Sequence, residues 1–326
     1  MKSRRRFAVS LAAVFIALAV GFVVGARMLS GPMESVLRAE KGDLQQQVDN
    51  LTDQNTLLAE KLSAADDFDK QMSPRMVGGT LDGKSVVIFR TPDADPVDLE
   101  GVARLIGQAG GSVTATIGLT EEFVDGSSGE KLRSVVNSPI IPPGTRLNTD
   151  LVDEGSQAGD LLGLALLINR DPAFAPVDDQ ARNTVLAALR DTGFLTYDND
   201  TSNSDTSNND TSNSGPAAAD TAVIVTGGAL AEDAGQQGST VARFAAGLAP
   251  HGSGTVLAGR DGSATGVSAI AVARADAETA GAVTTVDDVD AESGRITSVL
   301  ALGAMISGAP GGNYGIGAGA VSVTVQ

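Results

Sequence analysis

The polar and apolar positions divide the chain into three regimes. Residues 7–26 are apolar throughout apart from Ser10. As a helix this run is ~30 Å long, the thickness of a bilayer's hydrocarbon core. Lys2, Arg4, Arg5 and Arg6 precede it. Such a basic cluster keeps the amino terminus in the cytoplasm and sends the rest of the chain outward. Residues 1–29 are therefore expected to form a basic start and a single transmembrane anchor. A cleaved leader is the alternative. Val24, Gly25 and Ala26 make a small-residue cleavage site, and residues 3–7, SRRRF, resemble a twin-arginine export signal. The length of the run favours the anchor, because a leader's apolar stretch is only about 7–15 residues.

A period of seven follows. Leu37, Leu44, Leu51 and Leu58 occupy one heptad position; Lys41, Val48, Asn55 and Leu62 occupy the other inward one. Leucine at every d position with one asparagine at a is the pattern of a parallel two-stranded coiled coil, in which the asparagine fixes register. The spacing predicts a coiled-coil helix over residues 32–73, opened by Pro32 and closed ahead of Pro74. Its interface is expected to be Leu37, Leu44, Val48, Leu51, Asn55, Leu58 and Leu62, with a second copy of the chain as partner. An amphipathic helix packed on its own domain is the alternative. The polar outward positions (Gln45, Gln46, Asp49, Asp53, Glu60) leave little to pack that way.

Beyond residue 78 the pattern changes again, to short apolar runs alternating with helical periodicity. SVVIF (85–89) reads as a buried strand, VDLEGVARLIGQAGG (97–111) as a helix ended by glycines, and SVTATIGL (112–119) as a second strand. Strand, helix, strand favours parallel pairing with a right-handed crossover. A Pro-rich connection, two helices and a possible strand FLTYD complete a first α/β portion, 78–198. Residues 199–215, built from near-repeats of NDTSNS with no apolar side chain, cannot offset their ordering entropy and are expected to be a disordered insertion. In a second α/β portion, 216–326, TAVIVTGG, GTVLAGR and AVTTVDDVD read as strands. STVARFAAGLA, SAIAVARADAETAG and GRITSVLALGAMISG read as helices, and a Gly-rich tail follows. The fold class expected is α/β: an N-terminal transmembrane helix and coiled coil, then a mostly parallel sheet with helices on both faces.

Composition narrows the function. A formal net charge of −17 over 326 residues argues against nucleic acid, whose phosphates require Lys and Arg. There is no cysteine, so an exported domain must be held by its core alone. With one histidine, no triad built on His or Cys and no zinc set can be assembled. His251, just past a helix, reads as a cap or dipole partner. VIVTGG lacks the spacing and the lysine of a phosphate loop, and YGIGAG has the glycines but is followed by a strand-like run where a helix should begin; both read as structural turns, so no cofactor is expected. Asp287, Asp288, Asp290 and Glu292 at a strand's carboxyl end could hold a hard cation or exchange protons. The competing reading is a polar loop in which Asp290 or Ser293 caps the next helix. Met72 and Met76 are the close pair of soft donors, but Pro74 between them is expected to keep them off one helix face. No enzyme is expected. From the residues alone, an anchored envelope scaffold dimerised by its coil fits best.

The assembled order adds a resemblance. The stretches AVSLAAVFIALAVGFVVGA, VVIFRTPDAD and TTVDDVDAESGRITSVLAL, with the leucine repeat between the first two and a Gly-rich end, make the chain resemble the actinobacterial copper transport protein B family. That family is also described as a mycobacterial outer-membrane channel. The resemblance covers nearly the whole chain except 199–215. It implies a cell-envelope protein that exports copper or limits its accumulation, with copper as the transported ion. It carries over no metal-binding residue. The residues themselves do not read as a spanning barrel, which needs many segments of ~10 residues with alternating polarity and aromatic girdles. A pore would then come from oligomers or from another protein.

Overall fold

The computed structural model describes residues 2–197 and 215–325; the side chains of residues 2–12 and 26–39 lie outside that description. The insertion expected at 199–215 therefore falls outside the described residues except for Gly215. The chain divides into two compact units, Met1–Ala65 and Asp66–Gln326.

The first unit is helical. Helix α1 (Lys2–Val77) runs through Pro32 and Pro74, so the helix boundaries expected at these prolines are not observed. At Pro74 a local substitution explains the continuity. A proline cannot donate to the carbonyl four residues back, here that of Lys70. The Ser73 hydroxyl lies 3.0 Å from that oxygen and takes over as donor. No helix among the described residues is long and apolar enough to cross a membrane. Only residues 13–25 of the expected span have described side chains, fewer than the roughly 20 that a crossing needs. Phe15, Ile16, Leu18 and Phe22 among them are exposed. Leu44, Val48, Leu51, Leu58 and Leu62 are also exposed, so one chain by itself leaves the heptad stripe uncovered. Leu37 lies outside the described side chains.

The second unit is built on one seven-stranded sheet of order β3-β2-β1-β4-β5-β6-β7. The strands are β1 (Ser85–Arg90), β2 (Ser112–Leu119), β3 (Leu195–Tyr197), β4 (Thr221–Thr226), β5 (Thr255–Gly259), β6 (Thr284–Val286) and β7 (Asn313–Tyr314). All neighbours pair in parallel except β2 and β3. Strands from both sides of residues 199–215 share this sheet. The helices are α2 (Pro96–Gln108), α3 (Glu121–Val124), α4 (Gly129–Val136), α5 (Glu154–Leu166), α6 (Asp179–Asp191), α7 (Gln237–Leu248), α8 (Ala269–Ala275), α9 (Ala277–Ala282) and α10 (Glu292–Ile306). The run SAIAVARADAETAG forms two helices rather than one. Asp276 accepts from Thr279 N and starts α9 afresh.

Alternation along β1 shows why the sheet is covered twice. Val87 and Phe89 enter one core with α4 to α8, while Val86 and Ile88 enter another with α2, α10 and the last turn of α1. Aromatic residues are few, yet Phe89, Phe123, Phe194 and Phe244 are fully buried. Phe244 meets Phe89 and Phe123 edge-on at 5.1 and 5.4 Å, tying α7 to β1 and α3. Gly155, Gly159 and Gly163 recur every four residues along α5. A Cβ at Gly159 would lie 2.2 Å from the Phe244 carbonyl, so α5 and α7 pack backbone against backbone. That small-residue repeat is plain in the sequence and was not among the expectations above.

Candidate functional site

The chain order of the strands reverses between β1 and β4: from β1 the chain goes outward to β2, then returns to start β4 on the other side. In open α/β sheets this is where a crevice opens beyond the strands' carboxyl ends. Such a crevice is present, with a volume of about 560 Å³. Thr91, Pro92 and Asp93 reach it from the end of β1, Glu121, Glu122, Val124 and Asp125 from α3 and its C-cap after β2, and Thr226 from the end of β4. Gln237, Gly238 and Val241 of α7 and Ala269 of α8 close it. The three-ring contact of Phe89, Phe123 and Phe244 fixes the elements that form its walls.

Its polar groups are unevenly satisfied. Thr91 Oγ1 donates to Asp93 Oδ1 at 2.5 Å. Glu122 pairs with Lys131 at 2.6 Å. Bonds from the hydroxyl and amide of Ser127 hold the Asp125 carboxyl below the usual range. Glu121 has no side-chain partner among the described residues, and the hydroxyl of Thr226, which has none either, is open to solvent in the crevice. Sequence reading missed this crevice because its residues come from four separate connections. The usable signal was the strand order, which no local pattern reveals.

The carboxylates after β6 were anticipated as a cation or acid–base site, and the structure employs them differently. Asp287 is buried against Arg274, 2.5 Å from it, and accepts the amides of Ile316 and Gly317. Arg274 also donates to the carbonyls of Tyr314 and Ala318, so this ion pair ties down the Gly-rich tail. Asp290 accepts the amide of Asp261. Asp288 is buried with its Oδ1 unpartnered. Its pKa is pushed up to about 6, first by burial, then by the charges of Asp287 and Asp290. Neither Asp290 nor Ser293 caps α10, contrary to expectation. Asp66, on α1, accepts the first amide of α10, that of Glu292, at 2.6 Å. Among the described residues, no three His, Asp or Glu side chains are placed to hold a metal ion.

His251 is no helix cap. Its Nε2 lies 2.7 Å from Asp160 Oδ1, and Asp160 Oδ2 accepts the amide of Asn148. The pair is almost buried where α5 and α7 meet. Met72 and Met76 both lie in α1, four residues apart and hence on one helix face, because the helix continues through Pro74. Met76 is exposed and Met72 half-buried.

Comparison with known proteins supplies what the geometry leaves open. Residues 1–325 match the family described as copper transport outer membrane protein, MctB. The chain belongs to this family. The copper transporter MctB of Mycobacterium tuberculosis (strain H37Rv) is 58% identical over 327 residues, covering all of both chains. Its counterpart in Mycobacterium bovis has the same identity and coverage. The copper transporter MctB of Mycobacterium leprae is 57% identical over 325 residues, covering all of this chain and 99% of that one. The resemblance seen in residues 8–26, β1 and β6–α10 is thus a relation over the family's full length.

Proposed function

We propose that this protein is a cell-envelope copper-handling protein that limits copper accumulation, with copper ion as its cargo. The observation that carries this reading is the full-length relation to proteins named copper transporters, at 57–58% identity. The family's description as an outer membrane protein supports the envelope location. Residues 7–26 serve as a single anchor, their apolar side chains being suited to lipid rather than water. Residues 32–73 pair two chains in parallel through the exposed stripe Leu44, Val48, Leu51, Leu58 and Leu62, with Asn55 setting register. The sheet is open, with β3 and β7 as its edges. A pore would therefore need several copies or another protein. Met72 and Met76 are the soft donors that the fold leaves on one helix face for cuprous ion.

The test is cell copper content in a deletion strain under mild copper load. The strain is compared with complements carrying the full chain, or the chain with a cleavable leader in place of residues 1–29. Copper is expected to rise on deletion and to be restored only by the full chain. Unchanged copper would overturn the reading and leave an anchored scaffold, the alternative that the coil stripe favours. Asn55→Leu should alter the oligomeric state or register seen by cross-linking of the full chain. An unaltered pattern would remove the coil.

A further inference from the structure

We infer that two copies of the chain build one cuprous-ion site from Met72 and Met76 of each, four thioethers facing one another across the seam of the coil. The inference rests on the coiled-coil pairing and copper cargo proposed above. Counting sevens onward from Leu58 puts Ala65 and Met72 at d, and counting from Leu62 puts Asp69 and Met76 at a. Helix α1 is unbroken to Val77, so it carries this register through both methionines. Pro74 falls at f, away from the seam. Met72 and Met76 are then successive d and a layers, four residues apart on one helix, with Cβ atoms about 5–6 Å apart. In a parallel pair, each layer brings the same residue of both chains together. One chain supplies two donors, and the second copy completes the set.

Contacts within the chain leave this ridge available. Asp66 and Ser73, both at e, and Val77, at b, are the positions that the sheet's own helices engage. Asp66 accepts the amide of Glu292, Ser73 donates to Gln108, and Val77 enters the core with α2 and α10. Met76 stays exposed, as does Phe68 at g, an apolar flank for the seam. A second observation points to a cation. Asp69, at the a position one turn before Met72, is half-buried, and its carboxylate has no partner among the described residues. In the pair it meets its twin, and two like charges across a seam repel. A cation held by the methionines one turn further on offsets that repulsion. The sulfurs decide which cation, because thioethers are soft and select cuprous ion over hard divalent ions. The chain has no cysteine and one histidine, so few other soft donors compete.

The test is anaerobic titration of the full-length protein in detergent with cuprous ion, in competition with a chromophoric cuprous chelator, beside chemical cross-linking of the same sample. A dimer holding one cuprous ion per two chains is expected, with zinc ion bound far more weakly. The double variant Met72→Leu, Met76→Leu keeps the apolar volume of the seam. It should remain a dimer and lose at least tenfold in cuprous affinity. Asp69→Asn should weaken binding by a smaller factor. Circular dichroism melting curves verify that each variant is folded. A dimer that binds no cuprous ion, binds one per chain, or binds undiminished in the double variant overturns the site and leaves the coil standing. A monomer by cross-linking overturns the coil and the site together. Cell copper content in the deletion strain reports the copper-handling role separately from both.

Discussion

Two clusters of carboxylates sit beyond the carboxyl ends of strands in the same sheet, and they do opposite things. After β6, Asp287 is locked to Arg274 and to tail amides, Asp290 holds a loop amide, and Asp288 is buried with its pKa pushed up to about 6. At the β1/β4 crevice, Glu121 lines the wall without a side-chain partner among the described residues. The first cluster holds the fold together; the second is left open to solvent. Residue type does not separate them. What separates them is whether the chain itself supplies the partners.

Asp287→Ala is the variant that should show the largest difference. It leaves Arg274, only 5% exposed, charged and without its carboxylate, and frees the amides of Ile316 and Gly317. Removing one partner of such a buried pair costs about 3–5 kcal/mol. Urea unfolding of the full chain should show that loss, and limited proteolysis should cut the tail first. A loss no larger than for a surface residue would erase the contrast between the clusters.

Asp288 gives a smaller effect that depends on pH. Its pKa is raised from 3.8 to about 6 in the folded chain. Between those values the native state retains a proton that the unfolded chain has released. Stability therefore falls as pH rises through that window and is flat above it. Asp288→Asn should remove this slope, gaining about 2–3 kcal/mol near neutrality relative to pH about 4. Urea midpoints across the window test it, and a slope retained in the variant would mean that Asp288 is not its source.

The smallest effect belongs to the crevice. Glu121→Gln breaks no contact among the described residues and should change stability by no more than about 0.5 kcal/mol. A larger loss by the same urea assay would make Glu121 part of the scaffold and dissolve the comparison.

Much of the second unit was legible in advance. The runs 85–89, 221–226 and 255–259 are strands because continuous apolar residues suit a sheet buried on both faces, and 112–119 is one because its Val, Ala and Ile alternate with Thr. Helix α2 stops where Gly110 supplies φ +85°, as its glycines suggested. The errors share a cause. Pro74 looked like a terminator because local rules cannot see Ser73 replacing its amide. A cap for α10 was sought nearby, whereas it comes from Asp66, 226 positions away. His251 was read from its place beyond α7, yet its partner lies on α5.

The sequence by itself determined the α/β class of the second unit, most of its element order and the family, because periodicity and local composition are properties of neighbours along the chain. Tertiary structure alone decided which carboxylates are paired, where the strand order reverses, and which buried polar atoms, such as Asp288 Oδ1, are left without a partner. Those depend on contacts between distant segments, and the free energy of a buried polar group is set by its partners in space rather than by its neighbours in sequence.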